Sequence, residues 1–303
     1  MRRVLTAAIA VTALLLGGGC GGDSGGDDRP APGASGAAFP ATAGGVTLER
    51  RPERIVSLAP TATEMLFAIG AGSQVVAVDD QSTFPAEAPR TDLSGFKPNA
   101  EAIAAKNPDL VVLSDDLNKI VDQLTKLKVP VLLARAAGTL DDTYAQIGQL
   151  GTLTGHPAEA AALNERMRTQ IDKIVGGVPA RSAPLTYYYE LDPTFYTVTS
   201  QTFVGSIFAR FGLTNIADGA KTAYPQLSPE KLIAADPDMV FLADSKCCAQ
   251  SPETVKARKG WAGVTAVKNN QIVALDDDIA SRWGPRVVDL VQAVADAVAK
   301  ARA

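Results

Sequence analysis

Histidine is nearly missing from this chain of 303 residues, which contains only His156. Proteins that carry zinc or manganese ordinarily use several histidines with a carboxylate, so the sequence argues strongly against that class. Lys and Arg number 29 against 33 Asp and Glu, and no basic run occurs, which argues against nucleic-acid binding. The longest uncharged apolar stretch, Val4 to Leu16, spans 13 residues, fewer than the roughly 17–25 that a membrane-spanning helix needs.

Motifs of common enzyme classes are also missing. The chain has no Gly-x-Ser-x-Gly elbow and no phosphate-binding P-loop, and Gly70-x-Gly72 lacks the third glycine of a dinucleotide loop. We therefore expect a protein that is not an enzyme and has neither a cofactor nor a metal of its own. Two alternatives stay open: a surface-anchored enzyme or redox protein that uses Cys247-Cys248, and a purely structural or adhesion lipoprotein.

The N-terminus has the order of a secretion signal. Arg2 and Arg3 precede the apolar stretch, and three small glycines follow it directly before Cys20. This pattern predicts a signal peptide over residues 1–19. A Cys in this place resembles a bacterial lipobox, which implies that Cys20 is lipidated and anchors the protein to the outer face of the cell membrane. Gly17 stands where Leu is usual, so a plain secreted protein is the alternative.

Residues 20–45 have the composition of a linker. Gly21 to Gly45 contains eight Gly and three Pro in 25 residues, with little to bury, which predicts a disordered tether.

Beyond the tether, short apolar runs alternate with helical patterns, which predicts an α/β fold with mainly parallel sheets. Residues 99–113 and 228–242 align without a gap, each with a helix cap, a Glu two positions later, Pro-Asp and an apolar strand. This internal repeat predicts two similar lobes, residues 46–155 and 178–303. A helical pattern over residues 156–177 predicts one long helix between them.

Several segments together resemble a known family. They are the run from Arg54 to Glu64, the Phe84-Pro85 loop, the two repeats, and Gly284-Pro285-Arg286 before the last helix. Over residues 46–302 the chain resembles the cobalamin, haem and ferric-siderophore substrate-binding proteins of ABC importers. The resemblance implies two lobes joined by one rigid helix, a ligand cleft between them, and delivery of a metal chelate to an ABC permease dimer. We expect the protein to act as a monomer.

Aromatic residues on loops at the carboxyl ends of the strands are candidates for ligand contact, because flat apolar ligands pack well against aromatic rings. Ordinary core packing is the alternative for each ring. Arg282 is a candidate for an anionic group of the ligand, whereas Arg286 has the place of a helix-start or structural pairing residue. The predicted ligand-binding residues are Pro60, Thr61, Phe84, Phe96, Tyr189, Phe195, Tyr196, Tyr224, Arg282 and Trp283.

Two glutamates occupy matching places in the repeats. Glu101 and Glu230 each lie at the second position of a predicted helix, where a carboxylate also stabilises the helix end by about 0.3–1 kcal/mol. The resemblance implies that a glutamate here on each lobe docks into the permease.

Cys247 and Cys248 are adjacent, and Cα atoms across one trans peptide lie about 3.8 Å apart, shorter than most disulfides allow. Outside the cytoplasm, however, free thiols tend to be oxidised, so we predict a vicinal disulfide. A redox or soft-metal role and reduced thiols are the alternatives. His156, before a predicted helix, is expected to cap it or to be exposed.

The identity of the chelate is the least determined feature. The chain has only two Trp, and acidic residues near the predicted cleft would repel an anionic chelate unless they point away. We expect a cobalamin-type corrinoid first, a ferric siderophore second and haem third. The acidic residues are Asp115, Asp116, Asp276, Asp277 and Asp278.

Overall fold

An antiparallel hairpin begins the part of the chain, residues 38–302, that this computed structural model describes. Strands β1 (Ala41–Ala43) and β2 (Val46–Leu48) flank Gly44 and Gly45, whose φ angles of 56° and 78° suit a tight hairpin turn. The predicted tether was therefore too long at its C-terminal end, since the hairpin pairs residues on both sides of Gly45. The predicted signal peptide, Cys20 and residues 20–37 of the tether lie outside the described residues.

The first lobe contains a parallel sheet with the strand order β4-β3-β5-β6. Both of its faces are covered, so β3 and β5 are buried along their whole length, which explains why they read as continuous apolar runs. The strands are β3 (Ile55–Leu58), β4 (Val75–Val78), β5 (Leu110–Leu113) and β6 (Val131–Leu133).

Local sequence signals set the helices of this lobe. Pro60 occupies the first turn of α1, and the Thr139 side chain accepts a hydrogen bond from the backbone N–H of Asp142 in a capping box at the start of α4. Gly155 ends α4 in the left-handed conformation, with φ of 83°. The helices are α1 (Pro60–Ala68), α2 (Ala100–Ala104), α3 (Ile120–Lys126) and α4 (Leu140–Thr154).

The predicted connecting helix is α5 (Pro157–Gly176), which leads from the first lobe to the second. Its buried side chains are spaced at helical intervals, and they pack against α4 and the C-terminal helix α11 (Val287–Lys300). At about 1.5 Å per residue, a helix of 20 residues is about 30 Å long.

The second lobe repeats the strand order of the first, as β10-β9-β7-β8, again fully parallel. Its strands are β7 (Thr186–Glu190), β8 (Thr214–Asn215), β9 (Met239–Leu242) and β10 (Ile272–Ala274). Its further helices are α6 (Phe203–Ala209), α7 (Pro229–Ala235), α8 (Pro252–Lys256), α9 (Thr265–Lys268) and α10 (Asp277–Ala280). The predicted fold class of two similar lobes with parallel sheets is confirmed.

The aligned repeat corresponds to equivalent structure in both lobes. Asn99 caps α2 before β5, and Ser228 caps α7 before β9, each through its side-chain oxygen. The side chains that fill the two cores differ, however. The core of the second lobe contains stacked aromatic rings, with the centroids of Tyr187 and Phe208 4.5 Å apart.

His156 neither caps α5 with its side chain nor is exposed, so the prediction for this residue was wrong. Its Nε2 atom lies 2.7 Å from Nη2 of Arg51 and 3.0 Å from Nε2 of Gln74, two groups that can only donate. Nε2 is therefore an unprotonated acceptor. Burial and the Arg51 charge lower the pKa of His156 from its ordinary value of 6.5.

Among residues 38–302, no helix combines the length and the apolar character that crossing a membrane requires.

Candidate ligand-binding site

Large exposed apolar side chains concentrate on loops that follow the carboxyl ends of strands. Across the described residues, five such side chains are exposed: Phe84 (45%), Phe96 (73%), Leu127 (50%), Tyr196 (42%) and Tyr224 (58%). Phe84 and Phe96 lie between β4 and α2, and Tyr224 lies in the equivalent connection between β8 and α7. Tyr196 follows β7, so Leu127, after α3, is the one of the five that lies elsewhere.

The loop that carries Phe96 passes directly over the end of β3. A Cβ atom added at Gly95 would lie 2.6 Å from the carbonyl oxygen of Leu58 and 3.0 Å from Oδ2 of Asp79, so only glycine allows this approach. Asp79 is buried beneath it, and this burial raises the pKa of its carboxyl. The close approach fixes the backbone next to the most exposed aromatic ring of the molecule.

Pro60 and Thr61 begin α1 at the same edge of the sheet. Both line a small cavity of about 30 Å³ that Gln146 and Trp283 close from other parts of the chain. Thr61 is only 5% exposed, so of the two predicted contacts Pro60 offers more surface to a ligand.

A buried glutamate joins the two lobes at this edge. Glu64 on α1 is 3% exposed, and it receives hydrogen bonds from Arg282 (2.8 Å) and, in a forked geometry, from Arg286 (3.0 and 2.5 Å). Arg282 also donates to Asp278 at 2.7 Å and to the carbonyl oxygen of Gln81 at 3.1 Å. Contact between Arg282 and an anionic ligand, as predicted, does not fit this structure, because two carboxylates already neutralise it.

Trp283 lies between these two arginines in the sequence and is partly buried. Its indole N–H donates to Oε1 of Gln146 at 3.1 Å, and its carbonyl oxygen accepts from the hydroxyl of Thr143 at 2.9 Å. The indole is therefore oriented by α4, on the first lobe, with an edge left on the cavity beside Pro60.

Two of the predicted aromatic contacts pack in the core instead. Tyr189 has no exposed surface, and its hydroxyl donates to the carbonyl oxygen of Ala280 at 3.0 Å. Phe195 is partly buried and stacks on Trp261, with centroids 6.4 Å apart. We therefore leave Tyr189 out of the site and regard Phe195 as support for the loop that carries Tyr196.

A second buried ion pair lies inside the second lobe. Glu190 is the last residue of β7 and is fully buried. Arg258 donates to both of its carboxylate oxygens, at 2.6 and 2.5 Å. Asp244 is also fully buried, but its carboxylate has no hydrogen-bond partner in the described part of the chain. Burial, followed by the charge of Glu190, raises the pKa of Asp244 to about 7.

The loop after Asp244 carries the two cysteines. Cys247 and Cys248 face each other as a vicinal disulfide, with Cα atoms 3.8 Å apart. Asp277 holds this loop by accepting hydrogen bonds from the backbone N–H groups of Lys246 and Cys247, at 3.0 and 2.8 Å. The Lys246 ammonium lies 2.7 Å from Asp276 and 3.3 Å from Asp278, so these aspartates are compensated by a neighbouring cation.

The two glutamates of the repeats are both exposed in the first turns of short capped helices. Glu101 lies on α2 and Glu230 on α7, so the topological equivalence of the lobes extends to these carboxylates. Neither forms a salt bridge in the described part of the chain, which leaves both free for an external partner.

Over residues 38–302, no three His, Cys, Asp or Glu side chains are grouped closely enough to hold a metal ion. The arrangement at the carboxyl ends of the sheets offers aromatic rings, a neutralised charge network and a few backbone groups. Such a surface can hold a small molecule.

Comparison with known proteins agrees with this description. A model of the periplasmic binding protein family matches residues 55–279, and the chain belongs to this family, the cobalamin, haem and siderophore substrate-binding proteins of ABC importers. Its members are binding proteins for transport rather than enzymes, so the alternative of a surface enzyme was wrong. The protein works outside the cytoplasm.

Individual relatives differ in what they are named for. A cobalamin-binding protein of Halobacterium salinarum is 32% identical over 263 residues, covering 83% of this chain and 71% of the relative. An uncharacterised ABC transporter substrate-binding lipoprotein of Bacillus subtilis, YvrC, is 27% identical, covering 84% and 82%. The periplasmic haem-binding protein RhuT of Roseiflexus, in its apo structure, is 26% identical with a TM-score of 0.73, covering 82% and 98%.

Proposed function

We propose that this protein captures a cobalamin-type corrinoid and delivers it to an ABC permease dimer. The observation that carries the proposal is the placement of exposed aromatic rings: four of the five large exposed apolar side chains of the described residues follow the carboxyl ends of strands. A corrin is a large, flat and mainly apolar ring system, which such side chains cover at low entropic cost. The similarity to a cobalamin-binding protein supports the same ligand.

The charges at the site support a ligand of low net charge. Arg282 and Arg286 both form ion pairs with Glu64, and Arg258 forms an ion pair with Glu190. These three arginines could bind a strongly anionic chelate, such as a catecholate siderophore or a haem with two propionates, only by leaving one of these buried pairs, which is costly. A ferric siderophore remains the second candidate, and haem the third.

Ligand titration tests this proposal. The mature chain from residue 20, with Cys20→Ser in place of the lipidated cysteine, is titrated separately with cyanocobalamin, haem, a ferric hydroxamate and a ferric catecholate. Tryptophan fluorescence is the readout, with free tryptophan as the inner-filter control, and calorimetry gives the stoichiometry. We expect saturable binding of cyanocobalamin at one site, and no binding at micromolar concentration would refute the corrinoid.

Variants locate the site. Tyr196→Ala and Phe96→Ala should each weaken cyanocobalamin binding about tenfold, since each removes an exposed aromatic contact worth roughly 0.5–1.5 kcal/mol beyond its buried area. Leu127→Ala is the matched control, because the exposure of Leu127 lies between those of Tyr196 and Phe96 but the residue follows α3. An equal loss of affinity in Leu127→Ala would place the site elsewhere.

We also propose that Glu101 and Glu230 dock the protein onto its permease. Both are exposed at equivalent places on the two lobes, which suits a pseudo-symmetric dimer. Glu101→Lys and Glu230→Lys should abolish ligand uptake in cells while leaving ligand binding in solution unchanged. Glu253→Lys, an exposed first-turn glutamate on α8, is the control and should leave uptake intact.

Lipid anchoring at Cys20 is the third part of the proposal, and the relative named as a lipoprotein supports it. Cys20→Ser should move the protein from the membrane fraction to the soluble fraction and abolish labelling with palmitate. Membrane association that survives this change would contradict the anchor.

A further inference from the structure

Arg286 contacts two groups that have different roles. On one side, its guanidinium forms the forked ion pair with buried Glu64. On the other side, its central carbon lies over the Phe84 ring, 4.4 Å from the centroid. A guanidinium at this distance is attracted to the ring face by a cation–π interaction.

Phe84 itself has little else to hold it. Its side chain is 45% exposed and lies on the long loop between β4 and α2. An exposed aromatic ring on a loop samples several rotamers unless a neighbour restricts it, and ordering it on ligand binding then costs free energy. Arg286 covers one face of the ring, and nearly half of the Phe84 side chain stays exposed.

A second arginine holds the same loop. Arg282 donates to the carbonyl oxygen of Gln81, three residues before Phe84, while it is fixed by Glu64 and Asp278. The short segment from Arg282 to Arg286, which belongs to the second lobe by sequence, therefore organises a loop of the first lobe.

We infer that Arg286 is a positioning residue for ligand binding: it fixes the Phe84 ring so that its open face receives a flat ligand, and Glu64 in turn fixes Arg286. The inference rests on the proposed function for its binding readout.

Hydrogen exchange of the ligand-free protein tests the positioning step without any ligand. In Arg286→Gln, the amides of residues 80–88 should exchange faster than in the wild type, while those of residues 244–250 should not change. Arg210→Gln is the control, because Arg210 forms a surface ion pair with Asp172 away from this loop. Unchanged exchange over residues 80–88 would overturn the inference.

A double-mutant cycle tests the consequence for binding, with cyanocobalamin as the probe. Arg286→Gln should weaken binding about 2–5-fold in the wild-type background, the equivalent of an exposed cation–π contact. In the Phe84→Ala background it should have no further effect, because there is no ring left to position. A purely structural role would weaken binding in both backgrounds, and that result would overturn the inference.

If Arg286→Gln does not fold, the variant Phe84→Leu tests the inference in its place. It retains an apolar side chain and the Glu64–Arg286 pair, so it should weaken cyanocobalamin binding without changing the melting temperature. Binding equal to the wild type would overturn the inference. If the wild-type protein does not bind cyanocobalamin, the corrinoid proposal fails, whereas hydrogen exchange still decides whether Arg286 positions the loop.

Discussion

The two lobes have the same strand order, but each contains a titratable side chain whose pKa is shifted in the opposite direction to the other. In the first lobe, partly buried His156 is an unprotonated acceptor with a lowered pKa, and in the second lobe, fully buried Asp244 has a raised pKa. Leu58 and Glu190 also hold equivalent places, since each pairs with the last residue of the neighbouring strand, Leu113 or Leu242. The comparison shows that the apolar pattern of the strands sets topology, whereas the strand ends are free to carry different charges.

The largest loss of stability should follow when Arg258, in the second lobe, is replaced. Arg258→Met leaves Glu190 buried without its cation, beside buried Asp244, and should destabilise the protein by about 3–5 kcal/mol. Urea denaturation followed by tryptophan fluorescence measures this, because Trp261 is buried in the same lobe.

Arg210→Met is the matched control for that experiment. The Arg210 side chain is 39% exposed and its partner Asp172 is 70% exposed, so the loss should be within about 1 kcal/mol. Equal losses of stability in the two variants would mean that the buried pair stabilises the protein no more than the surface pair does.

A smaller effect, dependent on pH, should follow from Asp244→Asn. Because the folded pKa of Asp244, about 7, lies above the ordinary aspartate value of 3.8, stability from this group is lost as pH rises between those values. Asp244→Asn should therefore raise the melting temperature by several degrees at pH 8 and much less at pH 4.5. An equal change at both pH values would contradict the raised pKa.

The smallest effect should come from His156→Gln, with the opposite sign. The folded pKa of His156 lies below 6.5, so its contribution to stability is complete above pH 6.5 and is lost as pH falls below that value. We expect the wild type to lose a little stability between pH 7 and pH 5 that His156→Gln does not lose. Hydrogen exchange at each pH assigns the effect to the first lobe, and a loss confined to residues of the second lobe would refute it.

Most of the fold could be predicted from periodicity and helix caps. The apolar strand predicted at the end of the repeat 99–113 is β5, and the connecting helix was predicted to within a few residues, because an apolar strand and an amphipathic helix each have a distinct pattern. The hairpin at Ala41 was missed because its two strands, Ala-Thr-Ala and Val-Thr-Leu, are only three residues each and flank two glycines, so the segment also suits a linker.

Less of the candidate site could be predicted, because it depends on pairing over long separations. Glu64 and Arg286 are 222 residues apart, and no local pattern states that they meet. A signal was nevertheless present: Glu64 directly precedes Met65 and Leu66 and is the one charged residue of its helix, which marks a carboxylate that needs a buried cation. Tyr189 was assigned to the ligand because aromatic type alone does not distinguish a core ring from an exposed one.

The pairing of Glu64 also has a consequence for the order in which the chain is made and exported. During synthesis, Glu64 emerges from the ribosome long before Arg282 and Arg286, which follow more than 200 residues later. Until they arrive, a first lobe that folds early would bury Glu64 without a cation, which is unfavourable. A segment made more than 200 residues later therefore completes the first lobe, which gains its full stability only after Arg282 and Arg286 have been added to the chain.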